Sequence, residues 1–241
     1  MTWLFIGAFV AGWIDAVIGG GGLVLVPLLM GYGIPPTMAL ATNKVAGFSG
    51  TVSAAITLIR KFGLPKKTVQ YIIIALVCAG GGALAASVIS TQIMRPFIIG
   101  LLLAVGIFVA IRPEFGTTHS EVRKRPLLAL LLAGSIAFYD GIFGPGTGMF
   151  LIMVFTAFLT GDFLRSSVLA KLVNACTNLG ALFAFAVEGQ VLWKLGLGLA
   201  IANIAGGLLG AKTLVAGGAK FIRVALLALV VILVGKLLLT P

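Results

Sequence analysis

The sequence predicts an all-α polytopic membrane protein. Three observations point there: an apolar composition, a series of span-length hydrophobic runs, and a motif that occurs twice. Of 241 residues, 60% are apolar and only 10% are charged, and mean hydropathy is +1.20. Soluble domains carry about a quarter charged residues. A chain of this length cannot hide so much hydrocarbon from water behind so little polar surface. A bilayer accepts apolar side chains facing outward.

A helix needs roughly 20 apolar residues to cross a bilayer. Six runs meet that length: 37–59, 68–90, 93–111, 165–187, 191–213 and 221–239. Two further apolar regions, 4–30 and 126–160, are interrupted. The first breaks at Gly19, Gly20, Gly21 and Gly22, the second at Gly144, Pro145, Gly146 and Gly148. Glycine weakens a helix, and proline removes a donor and clashes with the preceding turn. Unwound backbone at membrane depth persists only where protein or a wet cavity satisfies it. Each region is therefore either a broken crossing helix or a re-entrant hairpin, and six spans with two hairpins is the better reading of the pattern.

The interrupted regions match each other. Trp13-Ile14-Asp15-Ala16-Val17-Ile18-Gly19 aligns with Phe138-Tyr139-Asp140-Gly141-Ile142-Phe143-Gly144. Lys44 then falls over Lys171, the polar run Thr42, Asn43, Ser49, Thr51 over Asn174, Thr177, Asn178, and Gly80-Gly81-Gly82 over Gly206-Gly207. Residues 1–112 and 126–241 thus read as two homologous transmembrane repeats joined by a charged linker, 113–125. With a glycine-broken hairpin plus three crossing helices in each, an odd number of crossings inverts the second copy. The loops 60–67, 112–125, 161–165 and 212–223 then share one side and carry most of the Lys and Arg, against Arg95, Lys194 and Lys236 on the other. The positive-inside rule favours this inverted arrangement, with both termini outside.

Several function classes fall away. The net charge of +11 sits in short loops beside apolar spans, which is how a membrane protein sets orientation rather than how it binds nucleic acid. A cleaved leader is not expected, since the first apolar stretch lacks a basic n-region. His119 is the only histidine and has no thiol or carboxylate cluster, so no metal site is expected. Cys78 and Cys176 read as packing residues. Neither glycine break is followed by Lys-[Ser/Thr], and HExxH and GxSxG are absent, so no enzyme and no cofactor are expected.

Away from the ends of the apolar segments the full charges are few: Asp15, Lys44, Asp140 and Lys171. An ionisable group in a membrane core costs a few kcal/mol on insertion scales, so it is usually paired or functional. These four form two repeat-related sets. Lys44 either snorkels to an interface or, with Lys171, forms a cationic subsite for a small anion. The second reading gains from the neighbouring donors Thr42 and Asn43, and from Asn174 and Asn178 on the helical face of Lys171. Asp15 and Asp140 are either structural, accepting freed backbone N–H groups or pairing with lysine, or they couple transport to protons. The glycine breaks either pack helices closely or present N–H donors of Gly21, Gly22 and Leu23, and of Gly146, Thr147 and Gly148, to an anion at a helix N-terminus.

Gly12-Trp13-Ile14-Asp15, the run Gly19 to Gly22, Pro27, and Ala39-Leu40-Ala41-Thr42-Asn43-Lys44 resemble the sulfite exporter TauE/SafE family of probable membrane transporters. The segment Asp140 to Gly148 and the Lys171–Asn174 segment are similar to its second half. The resemblance spans nearly the whole chain. It implies a bacterial or archaeal inner-membrane permease exporting small sulfur-containing anions: sulfite, sulfoacetate or another organosulfonate, or thiosulfate-like species. A non-transporting scaffold or accessory subunit, and a permease for an unrelated carboxylate, are the alternatives. The expected partners are the anionic substrate and the lipid bilayer, with a homodimer left open.

Overall fold

The structure is a computed structural model describing residues 1–65, 68–111 and 124–217. Among these residues it is helical, without strands: α1 (Thr2–Ile18), α2 (Gly22–Gly31), α3 (Pro36–Phe62), α4 (Thr68–Ser87), α5 (Thr91–Ile111), α6 (Pro126–Ile142), α7 (Thr147–Phe155), a π-helical turn (Thr156–Thr160), α8 (Phe163–Val187) and α9 (Trp193–Val215). The local sequence explains the boundaries. Pro36 and Pro126 occupy first helical positions, where a missing N–H costs nothing. Asp162 caps α8 by accepting the Arg165 N–H at 2.7 Å.

Both interrupted regions break where expected. α1 stops at Gly19, whose φ of 81° is left-handed and whose N–H bonds the Asp15 carbonyl at 2.8 Å. α6 ends at Ile142, and Gly144 and Gly146 take φ values of 88° and 85° before α7 begins. The first five expected spans correspond to α3, α4, α5, α8 and α9, with ends that agree to within three residues. The sixth, 221–239, lies outside the described residues, as do Lys66, Lys67, Arg112, His119 and Arg123.

Among the described residues three helices, α4, α8 and α9, are long and apolar enough to cross a membrane. At 27 residues α3 exceeds them in length, about 40 Å. Its hydropathy is lowered by terminal Arg60 and Lys61 and by an inner face on which Thr42, Asn43, Lys44 and Thr51 are all buried. α8 likewise buries Lys171, Asn174, Thr177 and Asn178. Meanwhile Ile201, Val77 and Ile73 are exposed. Polar side chains inside and bare aliphatic side chains outside fit a hydrocarbon solvent, not water.

The most extensive interfaces run between helices before and after the linker. α1 lies on α9, α4 on α6 and α8, and α3 on both α8 and α9. Small residues permit the close approach. A Cβ at Gly206 would run into the Phe9 carbonyl of α1, and one at Gly141 into the Ala79 carbonyl of α4. α3 and α8 therefore sit centrally, with their polar faces turned toward the two glycine breaks.

Candidate functional site

Each glycine break is fastened by a carboxylate and a lysine in the same manner. Asp140, in the last turn of α6, accepts Lys44 Nζ on Oδ2 at 2.7 Å and on its main-chain oxygen at 2.7 Å. Its Oδ1 accepts the Thr147 hydroxyl, across the break, at 2.7 Å. Asp15, in the last turn of α1, has its main-chain oxygen bonded by Lys171 Nζ, which stands 3.6 Å from Oδ2. Asp15 Oδ1 accepts the Gly21 N–H, again across the break, at 3.2 Å, and Oδ2 accepts Thr51 Oγ1 at 3.1 Å. A cation on the terminal carbonyls also suits the negative end of a helix.

The two clasps are exchanged, since the lysine of α3 holds the carboxylate of α6 and the lysine of α8 that of α1. They differ in tightness. The side chains of Lys44 and Asp140 are 1% and 2% exposed, and those of Lys171 and Asp15 are 0% and 15%. The breaks also touch. Met149 N–H donates to the Gly19 carbonyl at 3.3 Å, and the main chains of Gly19 and Gly148 are in contact range.

Where they meet lies a cavity of about 20 Å³, room for about one water. Asn43, Lys44, Asn174 and Asn178 line it together with both carboxylates, Gly21, Gly22 and Thr147. Every lining residue is a glycine or carries a polar side chain. Lys171, Thr42 and Gly146 lie outside the wall. The Thr42 hydroxyl accepts the Leu192 N–H at 3.2 Å, and Gly146 faces Val105.

Donors remain free in this cavity. Gly21 N–H is taken by Asp15, whereas the N–H groups of Gly22 and Gly148 have no acceptor among the described residues. The Asn43 amide, 8% exposed, has no hydrogen-bond partner among the described residues either. It sits beside Gly22: a Cβ built there would lie 3.7 Å from Asn43 Nδ2. Asn174 and Asn178 are engaged with each other and with Thr177. Asn203 of α9, absent from the sequence-based set, also lines the cavity, and its Nδ2 donates to the Ala8 carbonyl at 2.9 Å. It is the one amide side chain in the run 191–213, and that isolation was the signal available for it.

The sequence matches the family described as Sulfite exporter TauE/SafE over residues 4–237. The chain belongs to the TauE/SafE family. It is thereby a membrane transporter, in keeping with its apolar helices. A "Probable membrane transporter protein ORF9" from Sinorhizobium sp is 34% identical over 245 residues, covering 100% of this chain and 93% of the relative. A "Probable membrane transporter protein" from Haemophilus influenzae is 35% identical over 222 residues, covering 91% and 87%. "Probable membrane transporter protein YfcA" of Escherichia coli K12 is 33% identical over 238 residues, covering 98% and 88%. No solved structure matches the TauE/SafE chain.

Proposed function

We propose that this TauE/SafE protein is a secondary transporter exporting small sulfur-containing anions, such as sulfite or thiosulfate-like species, across the bacterial inner membrane as a multi-pass protein. The single observation that carries the reading is the cavity between the two breaks, where unpaired N–H groups of Gly22, Gly148 and Asn43 converge beside Lys44. Backbone donors at a helix start suit an oxyanion. The absence of any apolar side chain from the wall favours a wholly polar anion over a sulfonate with a longer hydrocarbon tail.

In this reading the repeats are inverted and each break is a hairpin. The cavity, too small for a polyatomic anion, is a closed state that opens by rocking one repeat against the other. Lys44 and Lys171 supply positive charge, Asn43, Asn174 and Asn178 donate, and Gly21, Gly22, Gly146 and Thr147 shape the breaks. Thr42 fixes the start of α9 beside them.

Charge balance suggests the coupling. Two lysines and two aspartates leave the closed site neutral, so an entering anion adds an uncompensated charge in a low-dielectric interior. A proton on one carboxylate offsets it and frees a lysine. In this reading the proton goes to Asp15, whose 3.6 Å pair with Lys171 is looser than the 2.7 Å Lys44–Asp140 pair. An Asp15→Asn variant is expected to bind substrate but to lose stimulation of flux by a pH gradient in proteoliposomes. Full stimulation in that variant would remove Asp15 from the coupling step.

The binding site is tested by thermal unfolding of purified protein with sulfite, thiosulfate, sulfoacetate, taurine and a dicarboxylate, since a ligand of the folded state raises its apparent stability. Sulfite or thiosulfate should give the largest rise, and a rise confined to the dicarboxylate would overturn the substrate class. Asn43→Ala should leave stability within about 0.5 kcal/mol, because that amide has no partner to lose. It should weaken anion binding about ten- to a hundredfold, the usual worth of a hydrogen bond to a charged group.

A further inference from the structure

A second cavity, of about 610 Å³, opens where α3 ends and α4, α6 and α8 begin. Its wall holds two cations, Lys124 and Arg165, and the Gln70 amide, with no carboxylate among the described residues. Neither cation is ion-paired among the described residues. The nearby Asp162 turns Oδ1 to the Arg165 N–H as a helix cap. The remaining wall is largely apolar and includes Phe62, Leu64 and Leu159. Leu64 is 62% exposed. Toward the core the cavity is closed by Leu169 and by Tyr71, whose ring packs edge-on against Phe155 at 5.3 Å. It shares no lining residue with the central cavity.

The wall chemistry selects the occupant. A free inorganic anion has no use for aliphatic walls, and an apolar molecule has none for two cations. The cavity has the size of an ordinary small-molecule site. It lies at a bundle end that also carries Arg60, Lys61 and Arg125, and basic pockets between transmembrane helices bind acidic headgroups. We propose that this cavity holds the headgroup of an anionic glycerophospholipid. The phosphate sits between Lys124 and Arg165, and the first acyl carbons lie against Phe62, Leu64 and Leu159. The proposal depends on membrane residence and not on which anion the central site carries.

The test is thermal unfolding of the delipidated full chain in mixed micelles containing phosphatidylglycerol, phosphatidylcholine, or phosphatidylcholine with inorganic phosphate. Phosphatidylglycerol should raise the apparent Tm by several degrees over phosphatidylcholine, and inorganic phosphate should not reproduce the rise. Lys124→Ala/Arg165→Ala should unfold as the parent does in phosphatidylcholine and lose the phosphatidylglycerol increment. Arg60→Ala/Lys61→Ala, which removes as much charge outside the cavity, should keep it. Should the double alanine variant not fold, Lys124→Gln and Arg165→Gln are measured singly, and each should lose part of the increment. Equal stabilisation by both lipids, an equal effect of phosphate alone, or an increment retained in the cavity variants overturns the proposal.

Discussion

A Lys44→Ala variant is expected to lose about 3–5 kcal/mol of stability, the usual cost of removing one partner of a buried ion pair, and to lose anion flux. Lys44 supplies two hydrogen bonds to Asp140, one to the carboxylate and one to the carbonyl that ends α6. Without it a carboxylate that is 2% exposed keeps only the Thr147 hydroxyl. Lys171→Ala should cost less. Asp15 is 15% exposed and retains the Gly21 N–H and Thr51 hydroxyl. Thermal unfolding in detergent ranks the two variants. A Lys44→Met/Asp140→Leu double variant separates stability from function. Replacing both members with apolar residues should recover much of the lost stability while flux stays absent.

Gly148→Val is expected to be as damaging, through space rather than charge. The two breaks cross so closely that a Cβ at Gly148 would lie 2.6 Å from the Gly19 Cα and 3.1 Å from its carbonyl oxygen. Neither neighbour is a side chain that can swing away. Forcing extra carbons into a packed interior typically costs about 1–3 kcal/mol and shifts the backbone. Here the shift would part Met149 N–H from the Gly19 carbonyl and spread the cavity donors. Gly19→Ala adds backbone strain at φ 81° to the same collision. Little folded protein should survive size-exclusion chromatography for either variant. Gly31→Ala, where a Cβ meets nothing within 4 Å, should behave as the parent does.

Five of the six expected spans and both breaks were legible because hydrophobic runs, proline and glycine act locally. Lys44, Lys171, Asp15 and Asp140 stood out as charges in apolar segments. Their pairing did not, since Lys44 meets Asp140 across 96 residues and Lys171 meets Asp15 across 156, and helical spacing reports only neighbours three or four apart. The exchange follows from which helices pack, and that depends on small residues such as Gly141 and Gly206 meeting a particular carbonyl. The same gap separates donors by residue type from donors by availability. Gly21 carries a suitable N–H, yet Asp15 accepts it, and Thr42 lies outside the cavity wall, beside the Leu192 N–H. Of the N–H donors expected at the starts of the second arms, Leu23 is bonded to the Gly20 carbonyl, whereas Gly22 and Gly148 have no acceptor among the described residues.

The most direct measurement is radiolabelled sulfite and thiosulfate flux in proteoliposomes containing only the purified chain, with the parent beside Asn43→Ala. The parent should give saturable flux of at least one of the two anions, stimulated by a pH gradient. Asn43→Ala, equally folded, should need a higher anion concentration to reach the same rate. No flux from a folded, reconstituted parent would contradict transport of these anions by the chain itself and favour an accessory role, and unchanged flux in Asn43→Ala would contradict the placement of the anion between the two glycine breaks.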